Sequence, residues 1–314
     1  MVRTVSERMR RWAAAVLGCL LAAPAAQALE VFTCEPEWAA LVKALAPQAR
    51  VTSATHALQD PHHIEARPAL IGALRRADMA VCTGASLEAG WLPMLQQRAG
   101  HARVFDGRDV MFYAADHVTL MHDHAHTPLD RSLGDVHAEG NPHLHLDPHK
   151  LKQVAQALAD RLARIDPADA AGVRQRHAAW VQAWDQHIAR WEKKAEPLMG
   201  HALVAQHTTF AYLWEWLGLT QVADLEPKPG LPPTLAHLQR VLKDVAEDPP
   251  RFIVQASYQD PQAGRWLAAR TGLPLKVLPA TVTEQGRSAT LEGLFDELID
   301  QLLDALRASE ARTR

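Results

Sequence analysis

Residues 169–197 form one continuous stretch with a helical pattern, DAAGVRQRHAAWVQAWDQHIARWEKKAEP. Its indoles Trp180, Trp184 and Trp191 recur at spacings of four and seven residues, which place side chains on one face of an α-helix. The helical pattern before this stretch is interrupted only around residues 165–167. These residues therefore predict a long, stiff helix that resists bending.

On both sides of this helix, short apolar runs alternate with helical stripes. Strands are predicted before it near 30–34, 50–54 and 79–83, with helices opened by Pro36 and Pro68. The elements predicted after it are strands at 202–206, 221–224, 252–256 and 275–279 and helices at 208–217, 234–247, 260–271 and 289–308. Strands separated by helices predict parallel sheets covered by helices on both faces.

The sequence thus predicts an α/β protein with two parallel-sheet lobes joined by a long rigid helix. The predicted N-terminal lobe spans 29–168 and contains a histidine-rich loop near 121–137, the linking helix spans 169–197, and the C-terminal lobe spans 198–314. In such proteins a ligand binds at the carboxyl ends of the strands, in the cleft between the lobes.

Residues 1–28 have the pattern of a cleavable secretory signal peptide. Arginines precede a short apolar run, and the small residues Ala26 and Ala28 stand just before the expected cleavage point. A lipoprotein would instead begin at Cys19, but bulky Leu17 stands where a small residue is usual. We therefore expect cleavage after Ala28 and a periplasmic location.

Export leaves Cys34 and Cys82, each at the end of a predicted strand. In an oxidising compartment two thiols at the ends of neighbouring strands can form a disulfide. Two small buried apolar residues explain the same pattern equally well. The sequence leaves both alternatives open.

The composition narrows the classes of partner. The chain has 314 residues, 48% of them hydrophobic, with 33 Lys and Arg against 36 Asp and Glu. No basic stripe is present to neutralise a phosphate backbone, so we expect no nucleic-acid partner. The unusual feature is histidine, because most of the 17 histidines lie between His56 and His149.

Three of these histidines fall where ligand-binding loops are expected. His62 follows the 50–54 strand, His207 follows the 202–206 strand, and His143 precedes the long helical region. Their wide separation along the chain differs from the short local spacings of a zinc finger. They could meet only in the folded protein.

The motifs around these histidines resemble a known family. They are Asp60-Pro61-His62, Asn141-Pro142-His143 followed by Leu146-Asp147-Pro148, and Val204-Ala205-Gln206-His207 leading into Phe210-Ala211-Tyr212. Together and in this order they resemble the three histidine motifs of the zinc/manganese solute-binding proteins of ABC importers, the ZnuA/TroA-like group. The resemblance covers nearly the whole chain after the signal peptide.

The resemblance implies that His62, His143 and His207 bind a metal ion in the cleft. It also implies capture of the ion for an ABC importer permease, and we expect a monomer without catalytic activity. Neutral imidazole suits Zn²⁺, whereas manganese favours carboxylate oxygens. In that group a carboxylate in place of a histidine goes with manganese, so three histidines favour zinc as the transported ion.

The fourth ligand departs from the group's pattern. Relatives often supply an aspartate from the loop after the last strand, but this chain reads Ala280-Thr-Val-Thr-Glu-Gln-Gly286 there. Asp260, Glu284 or a water molecule could complete a tetrahedron. The sequence does not decide among these three.

A second group of histidines, His122, His124 and His126, lies in a polar run that His137 follows. We expect an exposed loop that either captures zinc weakly and passes it to the cleft or has no metal role. His145 is expected to support the site or to pack, and His63 to lie on the surface. Asp60 could accept a hydrogen bond from a ligand imidazole.

Alternative functions use the same residues. A manganese or iron receptor of the same group, or a metal-dependent adhesin, would keep the three-histidine site. A secreted zinc-dependent hydrolase is suggested by His143-x-His145-x-Asp147-x-His149, which departs from the H-x-H-x-D-H signature by the inserted Pro148. Asp147 followed by proline is better explained as a helix N-cap and first turn, which would carry His149 onto the helix.

Overall fold

The structure of the protein is a computed structural model. It describes residues 28–100, 102–105, 110–121, 137 and 139–313. The predicted signal peptide before Ala28, and His122, His124 and His126 of the predicted histidine-rich loop, lie outside the described residues. None of the helices in the described ranges is both long and apolar enough to cross a membrane.

The first lobe is a parallel sheet with the strand order β2-β1-β3-β4. Its strands are β1 (Glu30–Thr33), β2 (Arg50–Ser53), β3 (Met79–Cys82) and β4 (Met111–Tyr113). Its helices are α1 (Pro36–Leu45), α2 (Pro68–Arg76) and α3 (Leu92–Ala99). Proline occupies the first turn of all three helices, where its missing N–H removes no helical hydrogen bond.

The second lobe repeats this layout with the parallel order β6-β5-β7-β8. Its strands are β5 (Ala202–Ala205), β6 (Thr220–Asp224), β7 (Phe252–Ala256) and β8 (Leu275–Leu278). Its helices are α6 (Ala211–Leu217), α7 (Leu235–Glu247), α8 (Gln262–Thr271) and α9 (Leu291–Thr313). The first strand in sequence lies inside each sheet, at the point where the strand order reverses.

Two helices connect the lobes: α4 (Pro148–Ile165) and the long joining helix α5 (Ala170–Ala195). The predicted fold class, two parallel α/β lobes and a long helix, is confirmed. Neither β4 nor α3 is among the elements predicted from the sequence. The strand β4 has only three residues, which are too few to show the two-residue period of a strand.

A single hydrophobic core extends through both lobes. It includes Trp38 of α1, Trp191 of α5, Phe252 of β7 and Phe295 of α9. The rings of Trp191 and Phe295 stack with their centroids 4.9 Å apart. Each lobe also has one smaller hydrophobic cluster of its own. Because the central core is continuous, separating the lobes would expose apolar surface to water, which is costly.

The two cysteines of the first lobe are joined. A disulfide links Cys34, just after β1, to Cys82, the last residue of the neighbouring strand β3, with their Cα atoms 4.8 Å apart. Of the two alternatives that the sequence left open, the structure contains the disulfide. It fastens together two neighbouring strands of the first sheet.

Candidate metal centre

Three loops bring histidines to the cleft between the lobes. His62 lies in the loop after β2, and His207 lies two residues after the end of β5. His143 directly precedes a short 3₁₀ turn, Leu144–Leu146, that leads into α4. All three side chains are buried. The carboxyl ends of parallel strands thus deliver imidazoles from both lobes to one place.

The three rings form a nearly equilateral triangle. Their centroids are 5.7 Å apart for His62 and His143, and 6.0 Å apart for the two pairs that include His207. One nitrogen of each ring lies within 4.8 Å of one nitrogen of each of the others. A tetrahedral Zn²⁺ ion with bonds of about 2.0–2.1 Å holds its ligands about 3.4 Å apart, so the triangle needs little closure to enclose an ion.

His62 is oriented by Asp60, two residues earlier. Its Nδ1 lies 2.7 Å from Asp60 Oδ1, and its backbone N–H donates to the same oxygen at 3.0 Å. Burial disfavours the charge of Asp60, but the hydrogen bonds from His62 outweigh burial and lower the pKa of the carboxyl. A carboxylate at Nδ1 fixes the proton there and leaves Nε2 with its lone pair free for a metal ion.

His207 has the same kind of partner from its own lobe. Its Nδ1 lies 3.1 Å from Glu226 Oε2, which also accepts from the backbone N–H of Gly230 at 3.0 Å. Burial opposes a positive charge on the ring, but the hydrogen bond and charge of Glu226 outweigh it and raise the pKa of His207. Glu226 was not identified from the sequence, because it lies 19 residues from His207 in a proline-rich loop.

His143 has no carboxylate partner in the part of the chain that the structure describes. Burial, with the neighbouring charges of His62 and His207, holds the pKa of His143 well below its usual value. Its Nε2 is buried and has no hydrogen-bond partner among the described residues. A buried polar atom without a partner is uncommon in folded proteins, and a metal ion bound here would supply that partner.

The surrounding motif residues hold His143 in place. Asn141 Oδ1 accepts from the backbone N–H of His143 at 2.9 Å, and Asn141 Nδ2 donates across the cleft to the Thr208 carbonyl at 2.9 Å. The Tyr212 hydroxyl donates to the Asn141 carbonyl at 2.8 Å. The second and third histidine motifs are therefore connected directly, and the side chains beside the histidines set their positions.

A fourth imidazole lies against His62, beside the three rings whose nitrogens approach within 4.8 Å of one another. His137 Nε2 lies 3.2 Å from His62 Nε2, and the two ring centroids are 5.2 Å apart. Burial, with the charges of His62 and His207, lowers the pKa of His137 to about 3. The ring is therefore neutral at physiological pH, the form that binds metal ions. The prediction that His137 belongs to an exposed loop is wrong for this residue, because its ring packs against the cleft.

Of the two carboxylates considered as fourth ligands, Asp260 borders the site and Glu284 does not. Asp260 is exposed and lines a cavity of about 590 Å³ beside His62 and His207, with its Oδ1 accepting from the backbone N–H of Gln262. Glu284 is exposed and lines a different cavity of about 390 Å³, to which none of the three histidines contributes. The structure does not bring Glu284 to the triangle.

The other histidines have structural positions. His145 is buried, and its Nε2 donates to the Ala280 carbonyl of the second lobe at 2.8 Å while its Nδ1 lies 3.2 Å from Glu37. His63 is exposed, as expected. Asp147 accepts from the backbone N–H groups of His149 and Lys150, which confirms its role as N-cap of α4. His149 lies on this helix and turns away from His143, with its Nε2 3.1 Å from Oε1 of Glu192 in α5.

These residues suit a divalent metal ion. The donors are imidazole nitrogens, which are borderline ligands. The Nδ1 atoms of His62 and His207 each contact a carboxylate, and Nε2 of His143 is buried without a partner among the described residues. Carboxylates behind ligand imidazoles are the usual support of histidine-bound zinc. Two α/β lobes with such a site in the cleft define a metal-binding solute receptor.

The chain belongs to the ZnuA family. Residues 31–308 match the family described as "ZnuA: Zinc-uptake complex component A periplasmic". This is a family of solute-binding proteins of ABC uptake systems, which are not enzymes. The suggested hydrolase is therefore excluded, in agreement with the position of His149 on a helix.

Two relatives carry the name "High-affinity zinc uptake system protein ZnuA". The protein from Bacillus subtilis (strain 168) is 24% identical over 256 residues, covering 80% of this chain and 77% of the relative. The protein from Yersinia pestis is 22% identical over 201 residues, covering 60% of this chain. The match spans only 62% of the Yersinia pestis protein.

Solved structures share the fold at low sequence identity. "Crystal structure of ZnuA" superposes with a TM-score of 0.72 and 19% identity over 88% of this chain and 99% of that one. A Mn-bound periplasmic metal-binding protein from candidatus Liberibacter asiaticus has a TM-score of 0.71 and 15% identity, with 89% and 100% covered. At this identity the likeness shows the fold and leaves the metal open.

Proposed function

We propose that this protein is a periplasmic receptor that captures Zn²⁺ with high affinity and delivers it to the permease of an ABC importer. The observation that carries the proposal is the meeting of His62, His143 and His207, which lie far apart in sequence, within 4.8 Å in the cleft. Membership of the ZnuA family supports the uptake role. Export directed by the predicted signal peptide 1–28 would place the receptor where such importers collect their ions.

Zinc is preferred over manganese because of the donor atoms. The triangle offers only imidazole nitrogens, and Asp60 and Glu226 face the far side of two rings, where they do not take ligand positions. Nitrogen donors suit zinc, while manganese favours carboxylate and water oxygens. A manganese or iron receptor is the second candidate, supported by the Mn-bound structure of similar fold.

The rigid build of the protein limits the ways in which it can bind and release the ion. The continuous core limits how far the lobes separate, so binding orders side chains at the cleft more than it moves whole lobes. Docking on the permease must then distort the ligand set or pull the lobes apart. We expect a monomer to suffice, because both walls of the site come from one chain.

Protons compete with zinc for the same nitrogens. We expect zinc affinity to fall steeply as the pH drops from about 8 to about 6, through the histidine range near ~6.5. Because Glu226 raises the pKa of His207, this ring takes up a proton at a higher pH than an ordinary histidine does. Competition titrations with a chelator at each pH would measure the effect, and an affinity independent of pH would contradict imidazole ligation.

The decisive test is metal analysis of the purified protein with calorimetry on His62→Ala, His143→Ala and His207→Ala. Each variant should lose stoichiometric high-affinity zinc, and the matched control His63→Ala should retain it because His63 is exposed. Stoichiometric zinc of unchanged affinity in all three variants would contradict the proposal. Parallel titrations with Mn²⁺ and Fe²⁺ distinguish the second candidate.

A further inference from the structure

We propose that His137 is the fourth ligand of the cleft ion, so that the loaded site is an all-imidazole tetrahedron. This inference rests on the proposed metal-binding function and extends it to a residue outside the three histidine motifs. It assigns to His137 the position for which water, Asp260 and Glu284 were the candidates.

The Nε2 atoms of His137 and His62 are separated by a distance that suits a shared metal ion. His137 Nε2 and His62 Nε2 are 3.2 Å apart. The edge of a tetrahedron with zinc–nitrogen bonds of about 2.0–2.1 Å is about 3.4 Å. Asp60 holds the proton of His62 on Nδ1, so the lone pair of its Nε2 points toward His137 and can share a cation with it.

The second argument is that the backbone places His137 at the cleft. The N–H of Gly140 donates to the His137 carbonyl at 3.3 Å, which closes a turn between His137 and the Asn141 motif. Glu139 accepts from the Ser86 hydroxyl at 2.8 Å, and the N–H of Asn141 donates to the Met121 carbonyl at 2.8 Å.

This turn depends on Gly140. Its φ is +124°, and an added Cβ would lie 2.7 Å from the Met121 carbonyl oxygen. Only glycine adopts this conformation without strain at such a close approach. The turn returns the chain over the cleft six residues before His143, so one short segment supplies two of the four imidazoles.

The third argument is charge. Four neutral imidazoles leave the two positive charges of the ion uncompensated by its ligands. Asp60 and Glu226, each hydrogen-bonded to a ligand ring, supply two negative charges from the next layer. A carboxylate as fourth ligand is then not needed for neutrality, and ligand imidazoles backed by carboxylates are a common arrangement around zinc.

The test counts the imidazoles around zinc in the full-length mature protein. X-ray absorption at the zinc edge should show four imidazoles in the wild type, and three with one oxygen in His137→Ala. Zinc affinity of His137→Ala should fall by at least about tenfold, the lower range for loss of even a supporting residue. His63→Ala, the neighbouring exposed histidine, is the matched control and should leave both readouts unchanged.

Two further variants separate ligation from packing. His137→Asp supplies an oxygen ligand in a smaller side chain, so it should recover part of the affinity lost in His137→Ala. Gly140→Ala keeps the imidazole but displaces the turn, so it should reduce the imidazole count as His137→Ala does. Circular dichroism confirms that each variant is folded before its zinc site is measured.

The outcomes distinguish this inference from the function on which it rests. Three imidazoles in both wild type and His137→Ala, or tighter zinc binding by His137→Ala, would overturn the role of His137 and leave the triangle intact. In the second case His137 would occupy the site only before the ion arrives. Zinc retained without His62, His143 and His207 would instead overturn the proposed function itself.

Discussion

The two lobes meet in two places that are built in opposite ways. In the shared core, Trp191 and Phe295 are buried among apolar residues of both lobes. In the cleft, buried imidazoles face each other and one nitrogen of His143 has no partner. The comparison shows how one interface can fix the lobes while the other is prepared for an ion. Burial stabilises the first, whereas the second is costly until the ion binds.

The largest expected effect is on the shared core. Trp191→Ala removes a fully buried indole that contacts Phe295 and donates from Nε1 to Asp296 at 2.7 Å. We expect the free energy of unfolding to fall by about 3–5 kcal/mol. Denaturant unfolding should show one transition for both lobes, because they share this core.

The matched control for this change is Trp180→Ala on the same helix, since Trp180 is half-buried and packs at the edge of the core. Its loss of stability should be smaller. Equal losses for the two variants, or separate unfolding of the lobes in the wild type, would contradict a core that joins them.

The next largest effect is expected from the disulfide of the first lobe. Replacing both Cys34 and Cys82 by Ala removes the link between the ends of β1 and β3. We expect a loss of about 2–4 kcal/mol in the free energy of unfolding, the usual range for a disulfide. Mass spectrometry of alkylated, non-reduced wild type checks the bond itself, and two alkylated thiols would disprove it.

A smaller effect is expected from the carboxylates behind the imidazoles. Asp60→Asn and Glu226→Gln each keep the shape of the side chain and remove its charge, one in each lobe. Zinc affinity at pH 8 should fall by about 10–100-fold in each variant. Calorimetry with chelator competition measures both, and an unchanged affinity in either would show that its imidazole is held without the carboxylate.

The Glu226→Gln substitution should also change how zinc affinity depends on pH. Glu226 raises the pKa of His207, so its charge also favours the proton that competes with zinc. In Glu226→Gln that pKa falls, and proton competition begins at a lower pH than in the wild type. The affinities of the two proteins should therefore converge as the pH falls, and curves that stay parallel would contradict this linkage.

The smallest effect is expected from Glu284→Ala. Glu284 is exposed and lines a cavity that the three histidines do not share. Zinc affinity should remain within about twofold of the wild type, as is usual for surface substitutions. A larger loss in calorimetry would mean that the loop after β8 reaches the ion.

Much of the fold could be predicted from the sequence. The alternation of strands and helices, and the long helix now seen as Ala170–Ala195, follow from local periodicity. The short strand β4 could not be predicted, because its pairing with β3 identifies it and its own residues do not. Sheet pairing depends on contacts between distant residues, which a local pattern does not contain.

The candidate site divides in the same way. His62 and His207 were chosen from motifs at strand ends and His143 from the motif before the long helical region, and the structure brings the three together. Glu226 and His137 were missed as partners of the site. Neither has a local signal, since Glu226 lies in a proline-rich loop and His137 follows a histidine-rich run that indicates a solvated surface.

Local patterns were enough to predict the order of the elements, the two-lobed α/β class and the three candidate ligand histidines, because each depends on neighbours along the chain. Only the tertiary structure decided that Cys34 meets Cys82, that Glu226 supports His207 and that His137 lies against His62. Each of these contacts joins segments far apart in sequence. Their closeness results from how sheets, turns and the shared core pack together, and no local pattern encodes that distance.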